Sequence, residues 1–130
     1  MRVLLETHAF LWFVAGHASL SAPARAAIED EANDVFVSLA SVWEVAIKSS
    51  LGKLTVDAPS VGDFFEEQMD ENGFAYLPID PPHVFKVATL AFHHRDPFDR
   101  LLVAQALEEG MPLVTRELAA FAPYGVPMLW

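Results

Sequence analysis

The stretch HHRDPFDRLLVAQA, residues 93–106, sets Asp96 and Asp99 on either side of Pro97 and runs directly into an apolar helical pattern. Asp96 before Pro97 is an efficient helix start: aspartate caps free backbone N–H groups, proline suits the first helical position, and the helix dipole favours an acid in the first turn. Asp99 is different. At 100° per residue it falls among Leu102, Val103 and Ala106, while Arg100, Gln105, Glu108 and Glu109 take the other side. A carboxylate on the apolar stripe of a core helix needs a hydrogen bond, a counter-charge or a bound cation, because burying it alone is too costly.

Outward from this helix, Pro97–Glu109 closed by Gly110, the chain alternates two kinds of pattern. RVLL, DVFVS, AYLPI and MPLVT are short, continuous apolar runs of the kind found in parallel strands covered on both faces. Between them lie helical patterns over His8–Ala15, Pro23–Glu31 after a Ser21 cap, Ala40–Leu51 closed by Gly52, Ser60–Asn72 closed by Gly73, and Pro81–Ala91. This alternation predicts an α/β domain with a central, mainly parallel sheet flanked by helices. Only GKLTVDAPS reads as a long loop, and nothing divides residues 1–130 into more than one domain.

Other acids stand in comparable places. Glu6 ends the first strand run, Glu44 lies on the helix after DVFVS, and Glu117 follows MPLVT by two residues. In a parallel α/β sheet, strand ends and the following helix starts gather at one edge, so Glu6, Glu44, Asp99 and Glu117 are expected to meet in one cleft. Each also has a structural reading: Glu6 and Glu117 as first-turn acids, Glu44 as an i,i+4 partner of Lys48. Together they would repel one another unless a cation neutralised them. Oxygen-only ligands suit Mg²⁺ or Mn²⁺, and such ions lower the pKa of a bound water and stabilise charge in phosphate chemistry.

Composition limits the function classes. With 18 Asp+Glu against 8 Lys+Arg, the net charge of -10 has the wrong sign for gripping a nucleic-acid backbone by bulk electrostatics. Lys48, Arg95, Arg100 and Arg116 nevertheless each lie within four residues of one of the acids, either as a local rim for a phosphate backbone or as ordinary ion pairs. There are no cysteines, which excludes disulfides and thiolate metal sites and fits the reducing cytoplasm. The apolar N-terminus is interrupted by Glu6 and His8 and is too short to span a bilayer, so it reads as a buried strand and helix rather than a membrane segment. A mean hydropathy of +0.29 hints at apolar surface covered by a partner or a second copy. Phe10, Trp12, Phe13 and Trp43 read as core, Trp130 as packing on the last strand, and the His93–His94 pair as a surface turn rather than metal ligands.

These residues resemble a known family, the PIN-domain ribonucleases, and within it the VapC-type toxins of bacterial toxin–antitoxin pairs. The matching segments are VLLETHAFLW, VFVSLASVWEVAIKSSLGKL, LPI, HHRDPFDRLLVAQALEEG, PLVTRE and YGVPMLW, which run in the family's order along essentially the whole chain. The resemblance implies an α/β/α sandwich, an acidic pocket for one or two Mg²⁺ or Mn²⁺ ions, and hydrolysis of RNA phosphodiester bonds by metal-activated water. It places Glu44 at the acid of the "WE" segment, Asp99 at the acid before "LLVAQA", Glu6 at the first-strand acid and Glu117 at the acid after "LVT". Asp96 is then a cap and supporting carboxylate, and Thr7, Ser41 and Thr115 flank the site. It also implies a homodimer and a cognate VapB-like antitoxin.

The chain departs from the family pattern at two places, with Glu6 and Glu117 where the family has aspartate. Each carboxylate stands one methylene further out, and Mg²⁺ demands near-ideal octahedral geometry. An endoribonuclease toxin is the leading expectation. The alternative is a catalytically weakened binding module that mainly captures an antitoxin. A nucleotide-binding or phosphotransfer domain is disfavoured, since neither GxGxxG nor GxxxxGK[ST] occurs.

Overall fold

A computed structural model describes all of residues 1–130. Five strands, β1 (Arg2–Leu5), β2 (Asp34–Ser38), β3 (Ala75–Leu77), β4 (Leu113–Val114) and β5 (Met128–Leu129), form one parallel sheet in the order β3-β2-β1-β4-β5. The helices are α1 (Thr7–Ala15), α2 (Ala22–Glu29), α3 (Leu39–Ser50), α4 (Val61–Asn72), α5 (Pro81–Val87), α6 (Pro97–Glu109) and α7 (Leu118–Phe121), with a 3-10 turn at Ala122–Tyr124. No helix is long and apolar enough to cross a membrane.

The continuous apolar strands are explained by two cores. Successive strand side chains point to opposite faces. Val3 and Leu5 of β1, with Val35, Val37 and Val114, pack against Phe10, Ala24, Ile28, Phe64 and Phe65 from α1, α2 and α4. Leu4, Leu77 and Leu113 face the other way, onto Ala40, Leu102, Val103, Ala106 and Phe121. Helices thus cover both faces, as the sequence predicts for an α/β/α sandwich.

Strand order reverses between β1 and β4, and the register brings the strand ends level there. Leu5 pairs with Val37 on one side and with Val114 on the other, so Glu6, Leu39 and Thr115 leave the sheet at the same edge. Local chemistry turns the chain at two of these exits, where Glu6 caps α1 and Ser38 caps α3; Asp96 caps α6 after the loop that follows α5.

Two expectations need correction. Arg100, read as a rim cation, and Gln105 lie on the side of α6 opposite its apolar stripe, yet both residues are buried. Gln105 bonds Ser38 and the Pro78 carbonyl. The Arg100 guanidinium reaches the carbonyls of Val87, Leu90 and Ala91 at 3.2, 3.2 and 2.9 Å and the Tyr124 hydroxyl at 3.3 Å, with Phe92 over its face. The same contacts explain why α5 ends at Val87 rather than Ala91: the carbonyls of that segment turn to the guanidinium instead of continuing a helix. A lysine carries the charge but not the planar fork of donors. Arg100→Lys should therefore cost about 2 kcal/mol through carbonyls left unpaired, read as a melting temperature lower by roughly 5 °C.

Trp43 is the second correction. It is 56% exposed rather than core, and meets Phe98 edge to face at 5.1 Å. Phe10 is core, stacked on Phe65, and Trp12 is half-buried with Trp130 against it.

Candidate active site

The edge at the β1/β4 switch is where carboxylates gather. Glu6 is only 4% exposed. As the N-cap of α1 it accepts the backbone N–H groups of His8 and Ala9 through Oε2, while Oε1 lies 3.0 Å from Nδ1 of His8. That hydrogen bond, ahead of the attraction of Glu6 and Glu44, raises the His8 pKa above its ordinary value.

Glu44 comes from the inward face of α3, which it shares with Ala40, Ser41 and Val45. It too is 4% exposed, a burial possible for a carboxylate only with partners. Thr7 Oγ1 lies 2.8 Å from Glu44 Oε1 and 2.9 Å from Ser41 Oγ. A carboxylate can only accept, so the threonine proton goes to Glu44 and the serine proton to Thr7. Lys48 closes the other oxygen at 2.6 Å, one turn along, and this bond raises the lysine pKa.

Asp99 is the strained member of the group. Its carboxyl is pushed up to about 7, first by burial and then by the charges of Asp96, Glu6 and Glu44. Those charges come from three separate segments of the chain. Asp96 itself is committed to its cap, accepting the N–H groups of Phe98 and Asp99. Nε2 of His94 stands 3.2 Å from Asp99 Oδ2, a contact the sequence reading missed.

The four expected acids are not equivalent. Glu6, Glu44 and Asp99 act on one another across the pocket, whereas Glu117 is exposed at the start of α7 and is not among the charges that weigh most on Asp99. Thr115 is buried beside it and accepts the Glu117 N–H at 3.0 Å, which aims the turn and not the carboxylate. Of the basic residues expected at a rim, Lys48 stands in the pocket, Arg95 is exposed and free of ion pairs, and Arg116 lies over the Trp12 ring. Arg100 must be removed from that rim, because its guanidinium is buried under α5 and spent on carbonyls.

An all-oxygen donor set in which carboxylates outnumber the one paired lysine suits a hard divalent ion. Oδ1 of Asp99 makes no hydrogen bond and is not sealed from solvent, which leaves it open to such an ion. A different cluster, Asp80, His83 and Glu109 at the opposite end of α6, is the one whose ligand atoms lie within 4.8 Å of one another. There His83 already accepts the Asp80 N–H at Nδ1 and meets Glu109 at Nε2, so a cation would have to displace the bonds that join α5 to α6.

Comparison with known proteins follows the same lines. Over 59 residues, 45% of this chain and 41% of the relative, the sequence is 37% identical to ribonuclease VapC16 of Mycobacterium tuberculosis, so the match spans less than half of that protein. The fold is similar to the crystal structure of VapBC2 from Rickettsia felis bound to a DNA fragment from their promoter, with a TM-score of 0.73 at 14% identity over 98% of this chain and 97% of that one. It is similar also to VapBC-1 from nontypeable Haemophilus influenzae, with a TM-score of 0.67 at 13% identity over 98% and 96%. Residues 3–122 match the sequence profile of the PIN domain. With the parallel sheet, its switch point and this profile in agreement over most of its length, the chain belongs to the PIN domain family.

Proposed function

We propose that residues 1–130 act as a single PIN unit, a metal-dependent endoribonuclease of the VapC toxin type held silent by a VapB-like antitoxin. The observation that carries this reading is the Asp99 carboxyl, raised to about 7 by burial and by Asp96, Glu6 and Glu44 at the switch point of the sheet. A pocket that keeps such a cost in a folded protein is built for something that removes it. Glu6, Glu44 and Asp99 would hold Mg²⁺ or Mn²⁺, Asp96 would support Asp99, and Glu117 would act from the rim. When bound, the ion supplies a water of lowered pKa and charge stabilisation at the phosphate oxygens. Thr7 and Ser41 fix the Glu44 carboxylate. Lys48, Arg95 and Arg116 offer positive charge for the RNA backbone on a molecule otherwise acidic.

Partner binding is supported by the structural relatives, whose names are those of VapBC assemblies. Exposed apolar side chains such as Trp43, Phe85 and Phe92 suit a covered surface, in a homodimer or against the antitoxin. A cytoplasmic protein is the matching expectation, since that is where its RNA substrate is found.

The test is RNA cleavage by the antitoxin-free protein in EDTA, Mg²⁺ and Mn²⁺. Cleavage in either metal and none in EDTA is expected, and equal cleavage in all three overturns the metal-dependent reading. One observation favours the second reading, a weakened module that mainly binds antitoxin: both Glu6 oxygens are already engaged, one by its own helix and one by His8. On that reading the folded protein cleaves nothing, and Glu6→Asp restores cleavage by shortening the carboxylate.

A further inference from the structure

Asp99 stands in contact with a side chain whose own position is fixed by several partners. His94 sits two residues ahead of the α6 cap, and its Nδ1 accepts the backbone N–H of Asp96 at 3.1 Å. A ring nitrogen that accepts carries no proton, so in the neutral ring the proton is on Nε2. Nε2 is the atom 3.2 Å from Asp99 Oδ2. The backbone thus selects the tautomer whose proton is on the ring nitrogen nearer the carboxylate. The ring plane is set as well, stacked on Phe121 at 5.5 Å with 22° between the planes.

The segment that carries His94 is pinned from behind. Its backbone N–H donates to the Tyr124 hydroxyl at 2.9 Å, and that hydroxyl donates to the Ala91 carbonyl at 2.8 Å. Arg100 donates to the same hydroxyl and to Ala91, so one hydroxyl uses its single proton and both acceptor positions. The buried guanidinium, one residue beyond Asp99, therefore ties the end of α5, the loop before α6 and the 3-10 turn into one clasp.

We propose that His94 is a positioning residue for Asp99: the clasp of Arg100 and Tyr124 presents its Nε2–H to Oδ2, which fixes the carboxylate and leaves Oδ1 for a divalent cation. This rests on the metal-centre reading above. Hydrogen-bond partners that orient a ligating carboxylate typically change metal affinity by about 10–100-fold when removed.

The test is Mn²⁺ binding by calorimetry, with no RNA present. His94→Phe keeps an aromatic ring against Phe121 and lacks the donor; it should bind Mn²⁺ about 10–100-fold more weakly with a melting temperature close to the parent's. His94→Gln places an amide N–H the same number of bonds from the backbone and should recover most of the loss. Tyr124→Phe, which frees the His94 backbone, should lose affinity in the same direction by a smaller factor. Long-range ¹H–¹⁵N spectra of the parent should show the Nε2–H tautomer at His94. If His94→Phe binds Mn²⁺ as the parent does while Asp99→Asn does not bind, the positioning role is overturned and the metal centre stands. If the parent fails to bind, or Asp99→Asn binds as well as the parent, the metal-centre reading falls and this proposal with it. Should His94→Phe unfold, the tautomer and Tyr124→Phe decide: an Nδ1–H tautomer, or unchanged affinity in Tyr124→Phe, overturns it.

Discussion

Asp99→Asn and Glu44→Gln should each lower the proposed metal-dependent RNA cleavage by about 100-fold or more, while the protein stays folded. The size follows from what each change removes. Both substitutions are nearly isosteric, so the packing around Leu102, Val103 and Val45 is kept. Each removes a full negative charge from a pocket whose proposed task is to hold a divalent cation, and one lost electrostatic group at a reacting centre commonly costs 10²–10³ in rate. Glu44→Gln also offers an amide N–H to Lys48, where the parent has a 2.6 Å ion pair, so that side chain must swing away. The assay compares each variant with the parent in Mn²⁺, with circular dichroism to establish folding. Full activity in either variant would remove that residue from the site.

Stability should move the opposite way to activity. The Asp99 carboxyl titrates at about 7 in the folded protein, against 3.8 for the free side chain. Between those values the folded chain holds a proton that the unfolded chain has released, so the favourable contribution is complete below about pH 4 and lost as the pH rises through about 7. At about 1.4 kcal/mol for each pH unit the ceiling is about 4 kcal/mol, and solvent at the pocket mouth reduces it to about 3. In EDTA at about pH 8, Asp99→Asn should therefore melt roughly 10 °C above the parent. The gap should narrow as the pH falls and close near about pH 4. Mg²⁺ or Mn²⁺ should raise the melting temperature of the parent and leave that of Asp99→Asn in place, because a ligand stabilises only the state it binds. Equal melting of both proteins in EDTA at about pH 8 would show that the pocket carries no such cost.

The opposition of the two effects is the expected mark of a functional pocket. Asparagine would serve the fold better at position 99. Aspartate is costly there because the buried face of α6 meets Glu6 and Glu44 at the β1/β4 switch, whose charges add to the cost of burial.

What the sequence determined by itself was local or periodic. Continuous apolar runs marked strands covered on both faces, and β1 and β2 lie where RVLL and DVFVS placed them. Ser21, Ser60 and Asp96 marked helix starts, because a cap needs only the backbone groups next to it. The anomaly of Asp99 was also legible, since period 3.6 alone sets it among Leu102, Val103 and Ala106. Periodicity says which side of a helix a residue takes and nothing about what covers that side. Only the tertiary structure decided that the polar side of α6 lies under α5, with Arg100 and Gln105 buried, and that Trp43 stands exposed beside Phe98. The same limit applies to Glu117, whose place near a strand end left open how far α7 would carry it from the other acids. His94 read as part of a surface turn because its partners, Tyr124 and Phe121, arrive from 30 and 27 residues further along the chain. Such contacts are created by the folding of the sheet edge, and no local pattern in the sequence encodes them.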